Sequence, residues 1–454
     1  MKGIDISYKG IIRVALPISL GSFVQFLVVL TDNYFLSRIG ITEGSPELGM
    51  NAMNGAGNSA LIYITLLMFA IGLSSGAQVL IARRNGEKKY AVAGQFFANS
   101  LWICIGLGTV LFIGLRWITA NALDPLLESD AVLENMQRFL NIRMLGMLFY
   151  PITLIIMAFY AGIARTKLLM YTTVLTAIIN IILDWILIFG KAGAPVMGLE
   201  GAAIATVIAE AAAFIFATIF IFADRKNKPY QIWNAIRSFT FNYTRRIAKV
   251  SVPIVGQQVI ALSTWTVFFF MVENLGEKSL QASHVVRCMY LLIFVSVMGV
   301  GQATKTYVSS LIAEERQRDL RTCLKRLIII NLSGVLILTH GMWLYPGFIA
   351  DQFTDDAEVL MLATKSLLIV IPAMLLAAIS SVFLNAVEGS GRTPIALIIE
   401  IIAITLYLFF TYLLTSVFQQ PVYLVWMNDY LYFGIIALMG GLYLKFGRWK
   451  NVKI

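Results

Sequence analysis

Apolar stretches of about 20 residues recur along the whole chain, each long enough to cross a hydrocarbon core about 30 Å thick. No other feature restricts the fold so severely. In lipid, every backbone N–H and C=O must be satisfied inside the protein, which for segments of this length means helices. Only 13% of the 454 residues are charged, roughly half the share of a water-soluble domain. The pattern predicts membrane helices near 11–36, 50–80, 93–115, 138–161, 168–190, 199–223, 247–274, 281–310, 326–346, 365–387, 394–417 and 424–444. The first apolar run, Ile11 to Leu30, leads into Asp32 and not into a small-residue cleavage site, so it is expected to be retained.

A net charge of +10 would suggest nucleic acid in a soluble protein, but its distribution argues otherwise. The N-terminus, alternate loops and C-terminus, with the helix ends beside them, hold 26 of the 35 Lys and Arg. Acids lean to the opposite loops: Asp124, Glu128, Asp130 and Glu134 in one, Asp351, Asp355, Asp356 and Glu358 in another. Basic loops stay cytoplasmic. Both termini are therefore expected inside a cell (inner) membrane, with the positive charge facing anionic membrane lipid and no nucleic-acid partner. Cys104, Cys288 and Cys323 are odd in number and widely spaced, so neither a disulfide nor a metal cluster is expected.

The chain repeats itself. Arg13–Val14–Ala15–Leu16–Pro17–Ile18, ending at Gly40, resembles Lys249–Val250–Ser251–Val252–Pro253–Ile254, ending at Gly276. Gly72–Leu73 matches Gly299–Val300, and Gly162–Ile163–Ala164–Arg165–Thr166 matches Gly389–Ser390–Gly391–Arg392–Thr393. Six helices per half make the repeats parallel, related by an axis along the membrane normal. The expected fold is thus an all-α membrane protein of twelve helices in two pseudo-symmetric lobes, residues 1–223 and 247–454, joined by a basic cytoplasmic linker, 224–246. Two pseudo-equivalent lobes can rock about a central site, which favours a carrier over a channel.

Ionisable groups inside such helices are expensive and mark cavities or partners. Asp32, Asp184, Glu210, Glu400, Asp429, Arg143, Arg287 and Lys305 qualify. Asp429, near the outer start of the last helix, is expected to be wet. Arg143 is expected to snorkel outward, and Lys305 to pair with Glu400 near the cytoplasmic end. Asp32 and Asp184 lie at similar depth. Asn180 shares a face with Asp184, and Thr206 comes to the same level on the sixth helix. Two carboxylates with an amide and a hydroxyl suit Na⁺ or a shared proton. Glu210, one turn past Thr206, either extends this group or pairs locally.

At these residues the sequence resembles the multidrug and toxic compound extrusion (MATE) transporters. The pieces that carry the resemblance are Thr31–Asp32–Asn33–Tyr34–Phe35, Asn180–Ile181–Ile182–Leu183–Asp184 with Phe189–Gly190, Gly198 through Thr206, and Gly72 through Gly86. The resemblance implies a V-shaped pair of lobes exporting amphipathic organic compounds against inward Na⁺ or H⁺, with no other cofactor and no need of a partner subunit. It maps the cation site of the first lobe onto Asp32, Asn180, Asp184 and Thr206. It also maps a helix-bending proline onto Pro17, where a backbone hydrogen bond is lost.

The second half departs from the family pattern. Many relatives carry acids in helices seven and ten; here helix seven offers Gln257 and Gln258, and the first acid after helix ten is Glu388, assigned to the loop. His284 and Arg287 on helix eight are candidates for an anionic group on a substrate. Gln25, Tyr34, Phe35, Asn58, Gln257 and Gln258 complete the candidate substrate cavity. The alternatives to a cation-coupled antiporter are a flippase of lipid-linked oligosaccharides or an exporter of an anionic metabolite. An enzyme has little support, since the two histidines, His284 and His340, form no metal-ligand spacing.

Overall fold

A computed structural model describes residues 3–39, 46–123, 130–354 and 356–449; Gly40, Asp124, Glu128 and Asp355 fall outside them. Among the described residues there is no strand. The first half comprises α1 (Tyr8–Ser37), α2 (Pro46–Gly86), α3 (Tyr90–Asn121), α4a (Asp130–Arg143), α4b (Gly146–Gly162), α5 (Lys167–Phe189) and α6 (Gly198–Ala223). The second comprises α7 (Phe241–Glu273), α8 (Glu277–Ala313), α9 (Leu320–Leu344), α10 (Ala357–Gly389), α11 (Thr393–Tyr412) and α12 (Asn428–Phe446). Among the described residues eleven helices are long and apolar enough to span a membrane, and twelve spans result when α4a and α4b count as one. That span was expected to be continuous at 138–161; instead it bends by 53° between Arg143 and Gly146. Several helices also outrun their expected limits, α2 and α8 by a turn or more.

The repeat is visible in the backbone. Ala164 and Gly391 both adopt positive φ (56° and 88°) at the matched turns before α5 and α11. Lys88 (61°) and Glu315 (57°) do the same after α2 and α8. Left-handed backbone is uncommon outside glycine, so its recurrence at the same two turns marks one fold used twice.

The segment between the halves is folded, not slack, and α7 begins at Phe241, ahead of the expected 247. Its turns strap onto the first half: Trp102 Nε1 donates to the Ile236 carbonyl (2.9 Å), Tyr230 Oη to Asn85 (2.7 Å) and Asn227 Nδ2 to Tyr160 Oη (2.6 Å).

The halves meet through small residues. Gly72 and Gly76 let α2 lie directly on Val255 and Ser251 of α7, where a Cβ at either glycine would collide. Close backbone approach at a small-xxx-small pair is a characteristic helix contact in membranes. Gly299 accommodates Ser19 of α1 in the same way. Polar bonds reinforce this seam: Gln78 Nε2 to Thr306 Oγ1 (2.9 Å), Ser309 Oγ to the Val79 carbonyl (2.8 Å) and Arg83 to the Ser390 carbonyl (3.0 Å). The N-terminal segment crosses over as well, with the Ile4 amide on Glu314 (2.8 Å) and Arg326 on the Ile6 carbonyl (2.9 Å). All these bonds lie in the end of the molecule that carries the termini. Toward the other end α1 and α2 expose Gln25, Tyr34 and Asn58.

Candidate functional site

Asp32 sits five residues before the end of α1, where its carboxyl lies against that of Asp184 from α5, within side-chain hydrogen-bond reach. Asn180, one turn earlier on α5, donates from Nδ2 to Thr206 Oγ1 on α6 (3.3 Å). The Thr206 hydroxyl in turn donates to the Ala202 carbonyl (2.8 Å). Asn180 and Asp184 are fully buried. Asp32 Oδ1, both Asp184 carboxyl oxygens and Asn180 Oδ1 are buried without a hydrogen-bond partner. Four acceptor oxygens thus converge with no donor, and a buried acceptor left so is costly. Such a cluster is chemically suited to a proton or to a hard cation that takes oxygen ligands.

Helix α1 carries this acid at one end and Pro17 toward the other. Pro17 does not interrupt the helix. Its missing N–H frees the Arg13 carbonyl, and the Thr166 hydroxyl sits at that gap, 3.4 Å from the Arg13 oxygen and 2.8 Å from the Val14 oxygen.

Glu210 pairs locally. Arg143, expected to snorkel, is instead largely enclosed, its side chain 11% exposed, and grips Glu210 with both terminal nitrogens (2.6 and 2.7 Å). Its guanidinium also lies 4.0 Å from the Tyr63 ring centroid and donates to Tyr63 Oη (3.1 Å). The bend after α4a explains the difference, since it turns the side chain inward. Gly146 then leaves the space, because a Cβ there would strike Glu210, Arg143 and Tyr63 together. Tyr63 escaped notice in the sequence. The usable signal was a tyrosine within an apolar helix, which requires a partner for its hydroxyl.

The second half brings further corrections. Lys305 binds Glu388 (2.7 Å), not Glu400, and also donates to Ser75 of α2 (2.6 Å). Glu388, assigned to a loop, is in the last turn of α10 and buried. Glu400 instead accepts from the Tyr432 hydroxyl of α12, with Gln257 of α7 beside it. Gln257, a candidate for the substrate cavity, is therefore buried against an acid. Asp429, expected to be wet, is 3% exposed and lies by the Tyr407 phenol. Its backbone N–H donates to the carbonyl of the buried Trp426 (3.3 Å), which follows a short helix, Val422–Val425.

Of the other cavity candidates, Tyr34 is 56% exposed, with Arg38 over its ring at 5.0 Å, and Gln25 and Asn58 are exposed. Phe35 packs edge-on against Phe189 (5.7 Å), half-buried beside Leu36 and Ile188. Gln258 is half-buried. His284 stacks on Phe269 (5.2 Å, 8° between planes), and the Arg287 guanidinium lies 5.1 Å from the same ring. Beside His284 a cavity of about 300 Å³ is lined by Gln281, Cys288, Phe353 and Val359.

The family model described as MatE matches residues 17–186 and again 253–413. A probable multidrug resistance protein NorM of Thermotoga maritima is 24% identical over 450 residues, covering 98% of this chain and 93% of the relative. The probable multidrug resistance protein YoeA of Bacillus subtilis is 24% identical, covering 84% and 83%. Among solved structures, a multidrug resistance MATE family transporter in an outward-facing conformation superimposes with a TM-score of 0.88 at 19% identity, covering 98% and 97%. A MOP superfamily transporter from Pyrococcus furiosus, described as having a binding pocket of reversed polarity, gives 0.87 at 20% identity, covering 98% and 97%.

Proposed function

We propose, from the premise that this chain belongs to the MatE family of multidrug efflux transporters, that it is a Na⁺- or H⁺-coupled antiporter exporting amphipathic organic compounds. The observation that carries this reading is the Asp32–Asp184 contact: a half-buried and a fully buried carboxyl that meet while Asp32 Oδ1 and both Asp184 oxygens have no donor in the protein. A single proton or Na⁺ supplies the missing partner. Asp32 lies on α1, and α1 packs against α8 across the seam at Ser19 and Gly299. Occupancy at Asp32 therefore changes the energy of a helix that both halves share. Export follows if cation and substrate differ in affinity between the two arrangements of the halves. In this reading the protein works alone in the inner membrane, with termini and basic loops in the cytoplasm.

Efflux of a fluorescent organic cation from proteoliposomes under an imposed Na⁺ or proton gradient tests it. Wild type should respond to one gradient, and Asp32→Asn to neither. Undiminished gradient-driven efflux in the variant would remove the acid pair from the mechanism.

A second reading, export of an anionic compound, is favoured by Arg287. Among the described residues no carboxylate lies within ion-pair distance of it, and it rests with His284 on one aromatic ring. Loss of transport of an anionic dye in Arg287→Gln, with the cationic dye never moved, would select this reading.

A further inference from the structure

The second half buries two more acids that the proposed cation site does not use. Glu400 and Asp429 are each 3% exposed. Glu400 Oε2 and Asp429 Oδ2 are buried without any hydrogen-bond partner. Among the described residues no Lys, Arg or His pairs with either; the nearby ammonium of Lys305 is taken by Glu388 and Ser75. Phenols surround them instead. Tyr432 donates to Glu400, Tyr407 faces Asp429, and the rings of Tyr407 and Tyr432 meet at 5.7 Å.

The remaining polar groups facing this region are few. Helix α7 presents Gln257 to Glu400, α8 presents Tyr290 toward Asp429, and α10 presents Glu388 toward Glu400. On α12 itself Tyr430 donates outward to the Ile369 carbonyl (2.8 Å). None of these brings a positive charge to either carboxyl. A carboxylate so placed is disfavoured in a membrane interior. Phenols principally donate hydrogen bonds to a carboxylate, and here the carboxyls stand apart among phenols and do not touch each other as Asp32 and Asp184 do.

The repeat relates this region to the first-half site. The 227 residues that separate Gly72 from Gly299 also separate Asn180 from Tyr407 and Asp184 from Thr411. Thr411, standing where the first half has Asp184, accepts from Asn428 (3.1 Å), and the next residue is Asp429. The second half thus has an acid at the corresponding place, supplied by α12 and not by α11. We propose that the second half holds its own proton-binding centre, Glu400 and Asp429 in their tyrosine cage, distinct from Asp32 and Asp184. Each acid takes one proton on its unpartnered oxygen and releases it as the carboxylate. Glu400 lies next to Glu388, whose Lys305 partner reaches Ser75 in the other half, so its charge acts on the seam.

Infrared difference spectroscopy of the purified full-length protein, titrated with pH, tests this through the carbonyl stretch of protonated carboxyl groups. In an Asp32→Asn/Asp184→Asn background a titrating band at the high stretching frequency of water-shielded carboxyls, set apart from that of the exposed acids, should remain. Adding Glu400→Gln or Asp429→Asn should each remove part of it, and adding both should abolish it. Because polar replacements in a core risk misfolding, Tyr432→Phe provides a second measure. It keeps the ring but deletes the hydroxyl that Glu400 accepts, and should move the midpoint of the Glu400 component by about tenfold in proton concentration. A background without a titrating band of water-shielded carboxyls, or such a band indifferent to Glu400→Gln, Asp429→Asn and Tyr432→Phe, would overturn the proposal. Neither result depends on whether Asp32 couples transport.

Discussion

The two halves share a backbone plan yet distribute buried charge differently. In the first, one ion pair (Arg143–Glu210) is enclosed within the half, at the bend between α4a and α4b, and the free acids Asp32 and Asp184 touch each other. In the second, the ion pair (Lys305–Glu388) stands at the seam with a bond across to Ser75, and the free acids are held apart by phenols. A fold used twice therefore keeps its turns and its glycines while its ionisable groups move from helix to helix. Opposed carboxyls suit the binding of one cation between them. An ion pair at the seam suits control of how the halves meet.

The sharpest way to break this contrast is to neutralise one side at a time. Asp184→Asn should reduce gradient-driven efflux by at least about tenfold, within the usual range of coupling between two ligands. Fluorescence-detected size exclusion should still show the same folded species as wild type. If the loss were equal for Asp184→Asn and for Glu388→Gln, the division of roles between the halves would fall.

Next in size come the ion pairs. Arg143→Met strands the Glu210 carboxylate, and breaking a buried pair from one side costs about 3–5 kcal/mol. The double variant Arg143→Met/Glu210→Leu should recover most of that stability in thermal unfolding, because no charge is left unpaired. A double variant as damaged as the single would mean that the pair is needed for more than mutual neutralisation.

The comparison also shows what a linear sequence can convey. Counting residues along a helix fixes depth, and depth was enough to group Asp32, Asn180, Asp184 and Thr206. Depth says nothing of rotation about the helix axis or of which neighbour a helix meets. Lys305 and Glu400 do lie near one end, yet Lys305 turns to Glu388 and Glu400 to Tyr432. Arg143 was misplaced for another reason. Nothing in the apolar pattern of 138–161 announces a 53° bend, and Gly146 acquires meaning only once Glu210 is seen beside it. Asp429 looked wet because it starts a helix, whereas its carboxyl turns inward to the Tyr407 phenol of α11. The glycines at 72 and 299 were recognised as a repeat, but their purpose, close approach of the halves, depends on contacts distant in sequence.

The seam itself offers a third test. A side chain at Gly76 would collide with Ser251, so Gly76→Val should cost about 1–3 kcal/mol by overpacking. It should also push the halves apart at the end bearing the termini, which crosslinking between cysteines placed at Val79 and Ser309 would register. Gly106→Ala meets nothing within 4 Å and should be neutral, or stabilising by up to about 1 kcal/mol through helix propensity. Equal effects at Gly76 and Gly106 would show that the seam is looser than its geometry.

The smallest effect is expected where the linker meets the first half, outside the membrane. Burial alone would raise the Asp224 carboxyl, but the Lys226 backbone N–H and the Arg165 guanidinium outweigh it and hold the group below the usual carboxylate range. A carboxyl whose folded value is depressed binds fewer protons folded than unfolded. Its contribution is then full above the unfolded value of about 3.9 and vanishes as pH falls through the folded one. Asp224→Asn should accordingly lower stability at neutral pH by less than about 1 kcal/mol, as for a partly solvated pair. The difference from wild type should close in strong acid. The matching turn before α11 has Arg392, whose guanidinium donates to the Arg448 carbonyl (3.3 Å) in place of a carboxylate. Arg392→Gln should therefore show no such acid-dependent convergence, so a pH-dependent difference there would mean that the two turns are tied down by the same chemistry after all.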